Sequence, residues 1–571
     1  MTPEHPHLAA LHEALIGEER ATAAEYRRLA DLDLEAQVAA GFAWPPLRQI
    51  STERMGRRER LTLRTLGGEM LHTGIGPGEP VWVAGAPGHC DGVERAVAEV
   101  VVERAPPPGR PVEVTRRHDP STFIRYRQGL EAADRHASPL REALLTAERT
   151  PEVQADAMAH ALEASTLAVI HGPPGTGKTW TLARVLRALV DRGEQPWALA
   201  DSNAAVDHLA LQASTAGVDV VRVGHANRIG SAAAALSLEA RMARSPLGPA
   251  LAALQRDLSR AWGTPQARGL LAELRTLNDQ AREHALSTAQ CIAATFGTLA
   301  RRAPEWPKAV TAVVDEATQA SEPAVWGAVP FIERLVLVGD PEQLGPISIV
   351  PHSPLATSLL QRLIVHESRP APMLEVQHRM ATPIRELVAD VYGPTYRDHP
   401  RVADQRLLDL PPITWVDTAG AGFAEARDPA TQSLYNEGEV ALLAMAVGEL
   451  RDRGVEPERI GVIAPYSAQV GRLAAHPALA GIEVATINAF QGREKDAIAV
   501  SWVRSNDLGE LGFVADPRRL TVALTRARCW LWQVGDAATL SRHPRFAHLL
   551  AHHEDHGALR SVWEPPWSDA V

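Results

Sequence analysis

The sequence predicts an α/β protein with two parallel-sheet halves, and two series of apolar runs support this prediction. From about residue 151 to residue 350, short apolar runs alternate with segments of helical periodicity. These runs are 167–170, 197–200, 220–223, 310–314 and 335–338. A second series follows at 413–416, 460–463, 484–487, 497–503 and 529–534. Such alternation is typical of parallel sheets with crossover helices, and 571 residues leave room for several domains.

The region before these halves changes from helical to β-prone patterning. Residues 8–40 carry leucines at helical spacing and predict helix. After Trp44, short β-prone runs are separated by glycine- and proline-rich segments, which predicts a small barrel or sheet. Helical patterning returns from about residue 121 to residue 145. We therefore expect an N-terminal accessory region over residues 1–150.

The first α/β half contains an insertion of helical character over about residues 226–288. Two apolar stripes at helical spacing flank Gly263-Thr-Pro, which predicts a helical hairpin. The remaining domains are then expected at 151–350 and 351–545, followed by a tail over 546–571.

Composition excludes several classes of protein. Hydrophobic residues make up 45% of the chain and charged residues 22%, as in ordinary globular proteins. No apolar run is long enough for a membrane span, and the N-terminus lacks the pattern of a secretory signal. The three cysteines form no CxxC pair, which excludes a disulfide scaffold and a cysteine-built zinc module. We expect a cytoplasmic protein without membrane contact.

The charge balance places limits on any nucleic-acid site. The net charge of −11 would repel nucleic acid, so such a site must be a local basic surface. Residues 44–130 hold 13 arginines against 10 acidic residues, a mild excess that a solvated face explains equally well. Only three of the 58 basic residues are lysines, at 178, 308 and 495. A lysine in this chain is therefore expected where a compact ammonium is needed.

A phosphate-binding motif opens the first α/β half. Residues 172–179 read GPPGTGKT, which fits G-x-x-x-x-G-K-[ST] between a predicted strand and a predicted helix. Glycines allow backbone N–H groups to surround phosphates, and the helix N-terminus adds a favourable dipole. Lys178 would hold the β- and γ-phosphates of ATP, and the Thr179 hydroxyl would bind Mg²⁺.

Polar residues at the ends of two later strands extend this site. Asp315 and Glu316 follow an apolar run, where an α/β sheet presents its chemistry. Asp315 would hold Mg²⁺, and Glu316 would orient and deprotonate the attacking water. Gln343, after the run at 335–338, is placed to contact the γ-phosphate or the same water.

Two arginines of the second half are candidates for stabilising the transferring phosphoryl group. Arg379 lies in LEVQHRM and Arg526 in RRLTVALTRAR. An arginine in this role is worth about 10³–10⁵ in rate. Because the chain holds 55 arginines, the sequence pattern, and not arginine content, must identify these two.

The ordered set of motifs over residues 154–528 resembles superfamily 1 helicases, of the group containing the nonsense-mediated decay helicase and the immunoglobulin-mu-binding helicase. The motifs are QxxAMxxAL from 154, GPPGTGKT, SNAAVD from 202, DEATQASEP, GDPEQLGP, QHRM, FQGREKD from 490, VRSN from 503 and the segment 512–528. The resemblance implies two RecA-like domains, an N-terminal helical stalk, a small β-barrel and a helical insertion. It also implies a motor that uses ATP to move 5′→3′ along single-stranded DNA or RNA.

The resemblance implies a role for each motif residue, including those already assigned from the motifs themselves. For the nucleotide, it implies adenine recognition by Gln154, base stacking by His378 and ribose-side contact by Glu494. It implies γ-phosphate contact by Gln343, Arg379 and Arg526, and phosphate binding by Gly172, Pro173, Pro174, Gly175, Thr176, Gly177, Lys178 and Thr179. For the nucleic acid, it implies contact by Ser202, Asn203, Thr295, Phe490, Gln491 and Gly492. The family usually has Tyr at position 378, and an imidazole stacks with less area. The chain also departs from the family pattern at Asp201, Gly345 and Thr521, but none of these changes removes a catalytic charge.

Three functions are compatible with these motifs. The first is a helicase or translocase, expected as a monomeric motor, and the second is an ATPase that remodels protein–nucleic-acid complexes without separating strands. The third is a non-catalytic nucleic-acid scaffold. Such a scaffold would have no reason to keep all six residues expected to act on ATP, which are Lys178, Asp315, Glu316, Gln343, Arg379 and Arg526. DNA and RNA substrates are not distinguished by the sequence.

Five histidines lie near the C-terminus, at 543, 548, 552, 553 and 556. His548 and His552 have the i,i+4 spacing of metal ligands on a helix. Without a further ligand nearby in sequence, an exposed helix is the better interpretation of this segment.

Overall fold

The computed structural model describes residues 2–55, 58–67, 74–94, 96–107, 109–146, 157–367, 371–429 and 431–570. Within these ranges, no helix has both the length and the apolar composition that crossing a membrane requires.

The chain divides into two compact units. Unit 1 comprises Met1–Ile170, Thr179–Gly339 and Gly345–Pro372. Unit 2 comprises His171–Lys178, Asp340–Leu344 and Met373–Val571. The phosphate-loop residues 172–178 thus group with unit 2, although they follow a strand of unit 1. The finer predicted divisions at 150/151, 350/351 and 545/546 remain predictions.

The N-terminal part of unit 1 combines helices with an antiparallel sheet. Its elements are α1 (Pro6–Ala30), α2 (Leu34–Ala39), β1 (Leu47–Met55), β2 (Arg58–Thr65), β3 (Pro80–Val83), β4 (Ala86–Glu94), β5 (Val97–Val102), β6 (Val114–Arg116), α3 (Ser121–Arg135) and α4 (Pro139–Leu145). The six strands are ordered β1-β2-β5-β4-β3-β6. Backbone bridges from Leu47 to Val112 and from Ala43 to Thr115 join the two ends of this sheet. Its interior is a separate hydrophobic core that includes Trp44.

The rest of unit 1 is built around a second six-stranded sheet. Its elements are α5 (Ala157–Glu163), β7 (Leu167–His171), α6 (Lys178–Asp191), β8 (Trp197–Ala200), α7 (Asn203–Thr215), β9 (Val220–Val223), α8 (Leu238–Arg244), α9 (Gly248–Ala261), α10 (Ala267–Ser287), β10 (Cys291–Thr295), α11 (Phe296–Arg302), β11 (Thr311–Val314), α12 (Glu322–Trp326), β12 (Arg334–Gly339) and α13 (Leu359–Gln361). The strand order is β7-β12-β11-β8-β10-β9, and β8 to β12 pair in parallel. Because the strands are buried on both faces, they read as continuous apolar runs.

Helices α8, α9 and α10 lie between β9 and β10. Leu251, Leu254 and Leu258 form the buried face of α9, as their spacing predicts. Gly263 lies between α9 and α10 with a φ of 87°, a conformation that glycine adopts at low cost. Helix α8 precedes this pair and was not separately predicted.

Unit 2 carries the second parallel sheet. Its elements are β13 (Val376–Gln377), α14 (Thr382–Glu386), α15 (Ala389–Tyr392), β14 (Arg397–Asp398), α16 (Pro400–Ala403), β15 (Ile413–Asp417), β16 (Ala426–Arg427), β17 (Leu434–Tyr435), α17 (Glu437–Asp452), β18 (Ile460–Ala464), α18 (Ser467–Ala475), β19 (Glu483–Thr486), α19 (Ile487–Phe490), β20 (Lys495–Ser501), α20 (Pro517–Leu524), β21 (Ala527–Gly535), α21 (Ala537–Leu540), α22 (Pro544–Asp555) and β22 (Leu559–Ser561). The order β19-β18-β20-β21-β15-β22 is parallel throughout, with hydrophobic cores on both faces. The fold is therefore mixed α/β with two parallel sheets, as predicted, and fits RecA-like domains.

Candidate functional site

The predicted site residues of the first half follow the carboxyl ends of its parallel strands. The phosphate loop follows β7, Ser202 and Asn203 follow β8, and Thr295 ends β10. Asp315 comes directly after β11. The carboxyl edge is where an α/β sheet binds its ligands. The motifs are spaced along the chain because each follows the end of a different strand.

The phosphate loop makes a tight turn into α6. Gly175 and Gly177 have φ values of 72° and 77°, in the left-handed region that favours glycine. The Lys178 ammonium donates to the Gly172 carbonyl at 3.1 Å. Because α6 begins at Lys178, the positive end of its dipole lies at the loop. The loop therefore has the backbone geometry and the charge that a phosphate requires.

Thr179 and Asp315 lie together in unit 1. The Thr179 hydroxyl donates to Asp315 Oδ2 at 2.6 Å, and Asp315 is only 1% exposed. A hydroxyl and a carboxylate are hard oxygen donors of the kind that Mg²⁺ prefers. The two residues therefore fit the metal-binding roles that the sequence predicts.

Glu316 is held in an uncommon backbone conformation. Its φ is 49°, in the left-handed region that non-glycine residues rarely adopt, and its N–H donates to Asp315 Oδ1 at 2.9 Å. Its carboxylate accepts a 3.3 Å hydrogen bond from Gln319. Strain of this type is concentrated at functional sites, where it fixes the direction of a side chain.

In unit 2, Gln343 belongs to a buried polar network centred on Asp340. Gln343 Nε2 donates to Asp340 Oδ2 at 2.7 Å, and the Tyr392 hydroxyl donates to the same oxygen at 2.7 Å. His171 Nε2 lies 3.3 Å from Asp340 Oδ1. Burial alone would raise the pKa of Asp340, but His171, the Lys178 charge and Tyr392 hold it below its usual value. The network fixes Gln343 in place through an ionised aspartate.

Arg526 is buried beside this glutamine. It is 2% exposed, and its guanidinium lies 3.5 Å from Gln343 Oε1 while donating to the Val522 carbonyl and the Thr525 hydroxyl. The structure thus brings Gln343 and Arg526 together.

Arg379 lies against the phosphate loop but is paired with a carboxylate. A Cβ atom on Gly175 would come within 2.8 Å of Arg379 Cβ, so only glycine fits there. The guanidinium contacts Glu494 and donates to the Thr525 carbonyl at 3.1 Å. Burial would raise the pKa of Glu494, but Arg379 and Arg528 lower it to about 2. Glu494, expected at the ribose, thus serves here as the ionised partner of two arginines.

The proposed base-stacking residue also lies beside the phosphate loop. The His378 N–H donates to the Gly175 carbonyl at 2.8 Å, and its ring packs on His399 with 4.5 Å between centroids. Burial, followed by the charges of His399 and Arg401, lowers the pKa of His378, so the ring is neutral near pH 7. Gln154, the predicted adenine contact, lies outside the described residues.

Asn203 and Thr295 line a cavity of about 420 Å³ within unit 1. The cavity is bounded by α1, by the antiparallel sheet and by the carboxyl edge of the parallel sheet. Ser202 instead caps α7, accepting from the Ala205 N–H at 3.2 Å. Two of the three predicted nucleic-acid residues of this unit are therefore brought to one cavity.

Five arginines surround this cavity and were not singled out by the sequence. They are Arg116, Arg117, Arg125, Arg228 and Arg301. Burial, followed by the like charges of Arg125, Arg228 and Arg302, lowers the pKa of Arg301, which shows an excess of positive charge at this place. No sequence signal could identify the set, because its members come from distant segments of the chain.

The predicted contact segment of unit 2 is only partly accessible. Phe490 is 0% exposed and belongs to the hydrophobic core, so its ring is not available to a base. Gln491 donates to the Leu344 carbonyl at 3.2 Å, and Gly492 has a φ of 80°. If this segment contacts a ligand, Gln491 and Gly492 therefore make the contact.

Together, these features define a P-loop nucleotide-binding protein of two parallel α/β units. Family models described as AAA domain match residues 150–263, 255–350 and 355–538. The chain is 34% identical to DNA-binding protein SMUBP-2 of Rattus norvegicus over 72% of its length and 45% of that protein. It is 32% identical to Regulator of nonsense transcripts 1 of Caenorhabditis elegans (68% and 38%) and to ATP-dependent helicase NAM7 of Saccharomyces cerevisiae (71% and 44%).

The chain belongs to the superfamily 1 helicases, in the group that contains SMUBP-2, the regulators of nonsense transcripts and NAM7. It spans less than half the length of these three curated relatives.

Proposed function

We propose that this protein is an ATP-dependent helicase or translocase that moves along single-stranded nucleic acid, 5′→3′. The observation that carries the proposal is the Thr179–Asp315 pair at the end of the phosphate loop, with Glu316 held beside it. The nucleic-acid substrate is supported by the similarity to a DNA-binding protein, SMUBP-2, to Regulator of nonsense transcripts 1 and to the ATP-dependent helicase NAM7.

In this proposal, the phosphate loop and Lys178 bind the β- and γ-phosphates of ATP. Thr179 and Asp315 would hold Mg²⁺, which when bound neutralises phosphate charge. Glu316 takes the proton of the attacking water. Gln343 positions that water, and its buried hydrogen bond to Asp340 keeps it from rotating away.

Arg379 and Arg526 are proposed to stabilise charge on the transferring phosphoryl group. Arg526 is already desolvated beside Gln343, so its charge acts in a low-dielectric environment. The Arg379 guanidinium forms an ion pair with the ionised Glu494 in the structure. To contact the nucleotide, Arg379 must therefore release Glu494. This exchange would link nucleotide binding to a change in the ion pair.

The arginine-rich cavity of unit 1 is proposed to hold the phosphate backbone. Its lining combines guanidinium groups with Asn203 and Thr295, the two motif residues expected along the strand. Helices α1 and α3 would form the stalk, the antiparallel sheet the small β-barrel, and α9 with α10 the helical insertion. The bridges that join both ends of the sheet support the barrel assignment.

The test is ATP hydrolysis by the full chain with no polymer, with single-stranded DNA and with single-stranded RNA. Glu316→Gln is the blank, because it keeps the size of the side chain and removes the base. Stimulation by either polymer supports the proposal, and the stronger polymer identifies the substrate. Hydrolysis without stimulation would instead favour an ATPase that remodels complexes, and no hydrolysis by the intact chain would contradict both.

A further inference from the structure

We propose that unit 2 carries a binding site for a zinc-like divalent transition-metal ion, formed by Glu386, His552 and His556. One ligand atom from each of these residues lies within 4.8 Å of the other two. Two imidazoles and one carboxylate are a donor set suited to Zn²⁺, with remaining positions for water. The site is separate from the proposed ATP-binding residues and does not depend on the proposed function.

The two histidines come from the end of one helix. His552 lies in α22 and His556 caps its C-terminus, so the i,i+4 spacing puts them on the same side. Their rings stack with 4.1 Å between centroids. Glu386 is the last residue of α14 and supplies the third ligand from a distant part of the sequence.

Each histidine has a nitrogen suited to a metal. His552 Nε2 is shielded from solvent and makes no hydrogen bond to any residue that the structure describes. His556 Nδ1 lies 2.8 Å from the His552 carbonyl, which fixes the ring and leaves Nε2 as the ligand atom. Such a hydrogen bond from the second ring nitrogen is the usual companion of a metal-bound histidine.

The carboxylate is also largely available. Arg385 lies 3.4 Å from Glu386 Oε1, but its guanidinium is mainly paired with Asp398. Because His556 is exposed, an ion can enter from solvent. Once bound, the ion would tie α14 to α22.

A second cluster of similar composition is a weaker candidate. His89, Asp91 and His225 also lie within 4.8 Å of one another. However, Asp91 Oδ1 accepts from Asn227, and its Oδ2 is paired with Arg60 at 2.8 Å. Both oxygens of this carboxylate already have partners, so a metal would have to displace them.

The test is titration of the chelator-treated full chain with Zn²⁺ by calorimetry, in the absence of nucleotide, followed by Co²⁺ and visible absorption. His556→Ala and Glu386→Ala should each weaken binding at least tenfold, because each removes one of three ligands. His548→Ala is the matched control, since it removes an exposed histidine one turn away on the same helix, and it should leave affinity unchanged. His89→Ala should also leave affinity unchanged.

Zn²⁺ should raise the melting temperature of the intact protein but not that of His556→Ala. Circular dichroism of the metal-free variants checks that they fold, and His556 is exposed enough for substitution to be tolerated. Absence of binding by the intact chain, equal affinity in His556→Ala, or loss of affinity in His89→Ala would each overturn the proposal.

Discussion

Glu316, the proposed general base, has a left-handed backbone conformation that directs its carboxylate. Replacement with Gln keeps the backbone and the volume but removes the base. We expect Glu316→Gln to lower the turnover number by about 10²–10⁴, the usual worth of a general base. Steady-state ATP hydrolysis measures this change.

Lys178→Ala should also abolish turnover, but by loss of phosphate binding. A fluorescent ATP analogue should therefore still bind Glu316→Gln and fail to bind Lys178→Ala. Unchanged melting temperatures confirm that both variants fold. Turnover at the wild-type level in either variant would refute the assignment of the site.

A second prediction concerns His378, the position at which the family usually has tyrosine. A phenol ring offers more stacking area than an imidazole. His378→Tyr should lower the KM for ATP several-fold with little change in kcat, and His378→Ala should raise it. A control at His399, which packs on His378, separates stacking on the nucleotide from packing between the rings. Equal KM values in all three forms would contradict a role in nucleotide binding.

Motif spacing assigns expected catalytic roles to individual residues, but it does not predict which side chains surround them. In the structure, Thr179 lies beside Asp315 in unit 1, and Gln343 lies beside Arg526 in unit 2. The hydrogen bond from Tyr392 to Asp340 joins residues 52 positions apart, and nothing in their local sequence signals it. The complete burial of Phe490 likewise depends on packing between elements.

At the element scale, the start of α17 contains an unusual carboxyl group. Glu439 is 0% exposed, and its Oε2 accepts from the Ser501 hydroxyl at 2.6 Å and the Val503 N–H at 2.8 Å. Burial raises its pKa from 4.5 to about 8 despite these donors. The folded protein therefore holds a proton on Glu439 that the unfolded chain releases at neutral pH.

This difference predicts how stability depends on pH. The stabilisation from Glu439 is fully present below about pH 4.5 and is lost as the pH rises towards about 8. The loss is at most about 1.4 kcal/mol per pH unit. Glu439→Gln cannot titrate, so the melting temperature of wild type relative to this variant should fall between pH 5 and pH 8. A constant difference across that range would show that Glu439 is not protonated in the fold.

The elements themselves were largely predictable. Both parallel sheets, α9 and α10 appear where apolar periodicity indicates them, because buried strands and amphipathic helices leave strong local patterns. Helix α8 and the bridges between Leu47 and Val112 were not predicted. A short helix has too few turns to show a period, and sheet closure depends on residues far apart in sequence.

The whole molecule has a net charge of −11, but one of its cavities is lined by five arginines. The arginines of that cavity come from segments between residues 116 and 301, so a local count of charges finds only a mild excess. Folding gathers them around one cavity, where burial, followed by the like charges of Arg125, Arg228 and Arg302, lowers the pKa of Arg301. Net charge therefore opposes non-specific binding of polyanions, whereas the proposed strand would bind at this local concentration of arginines.

This arrangement predicts the salt dependence of nucleic-acid affinity. Each phosphate neutralised on a single strand contributes about −0.7 to the slope of log K against log salt. Arg301→Ala and Arg125→Ala should each weaken binding and make that slope shallower by about 0.7 if the residue contacts one phosphate. Fluorescence anisotropy with a labelled oligonucleotide, over a series of salt concentrations, measures both quantities.

Arg453→Ala is the matched control, because Arg453 is an exposed arginine paired with Glu449 on a helix of unit 2. It removes the same charge from the same chain without touching the cavity. If net charge governed binding, all three variants would shift affinity equally; if the cavity holds the strand, only Arg301→Ala and Arg125→Ala change the slope. An unchanged slope in both cavity variants would place the nucleic acid elsewhere on the molecule.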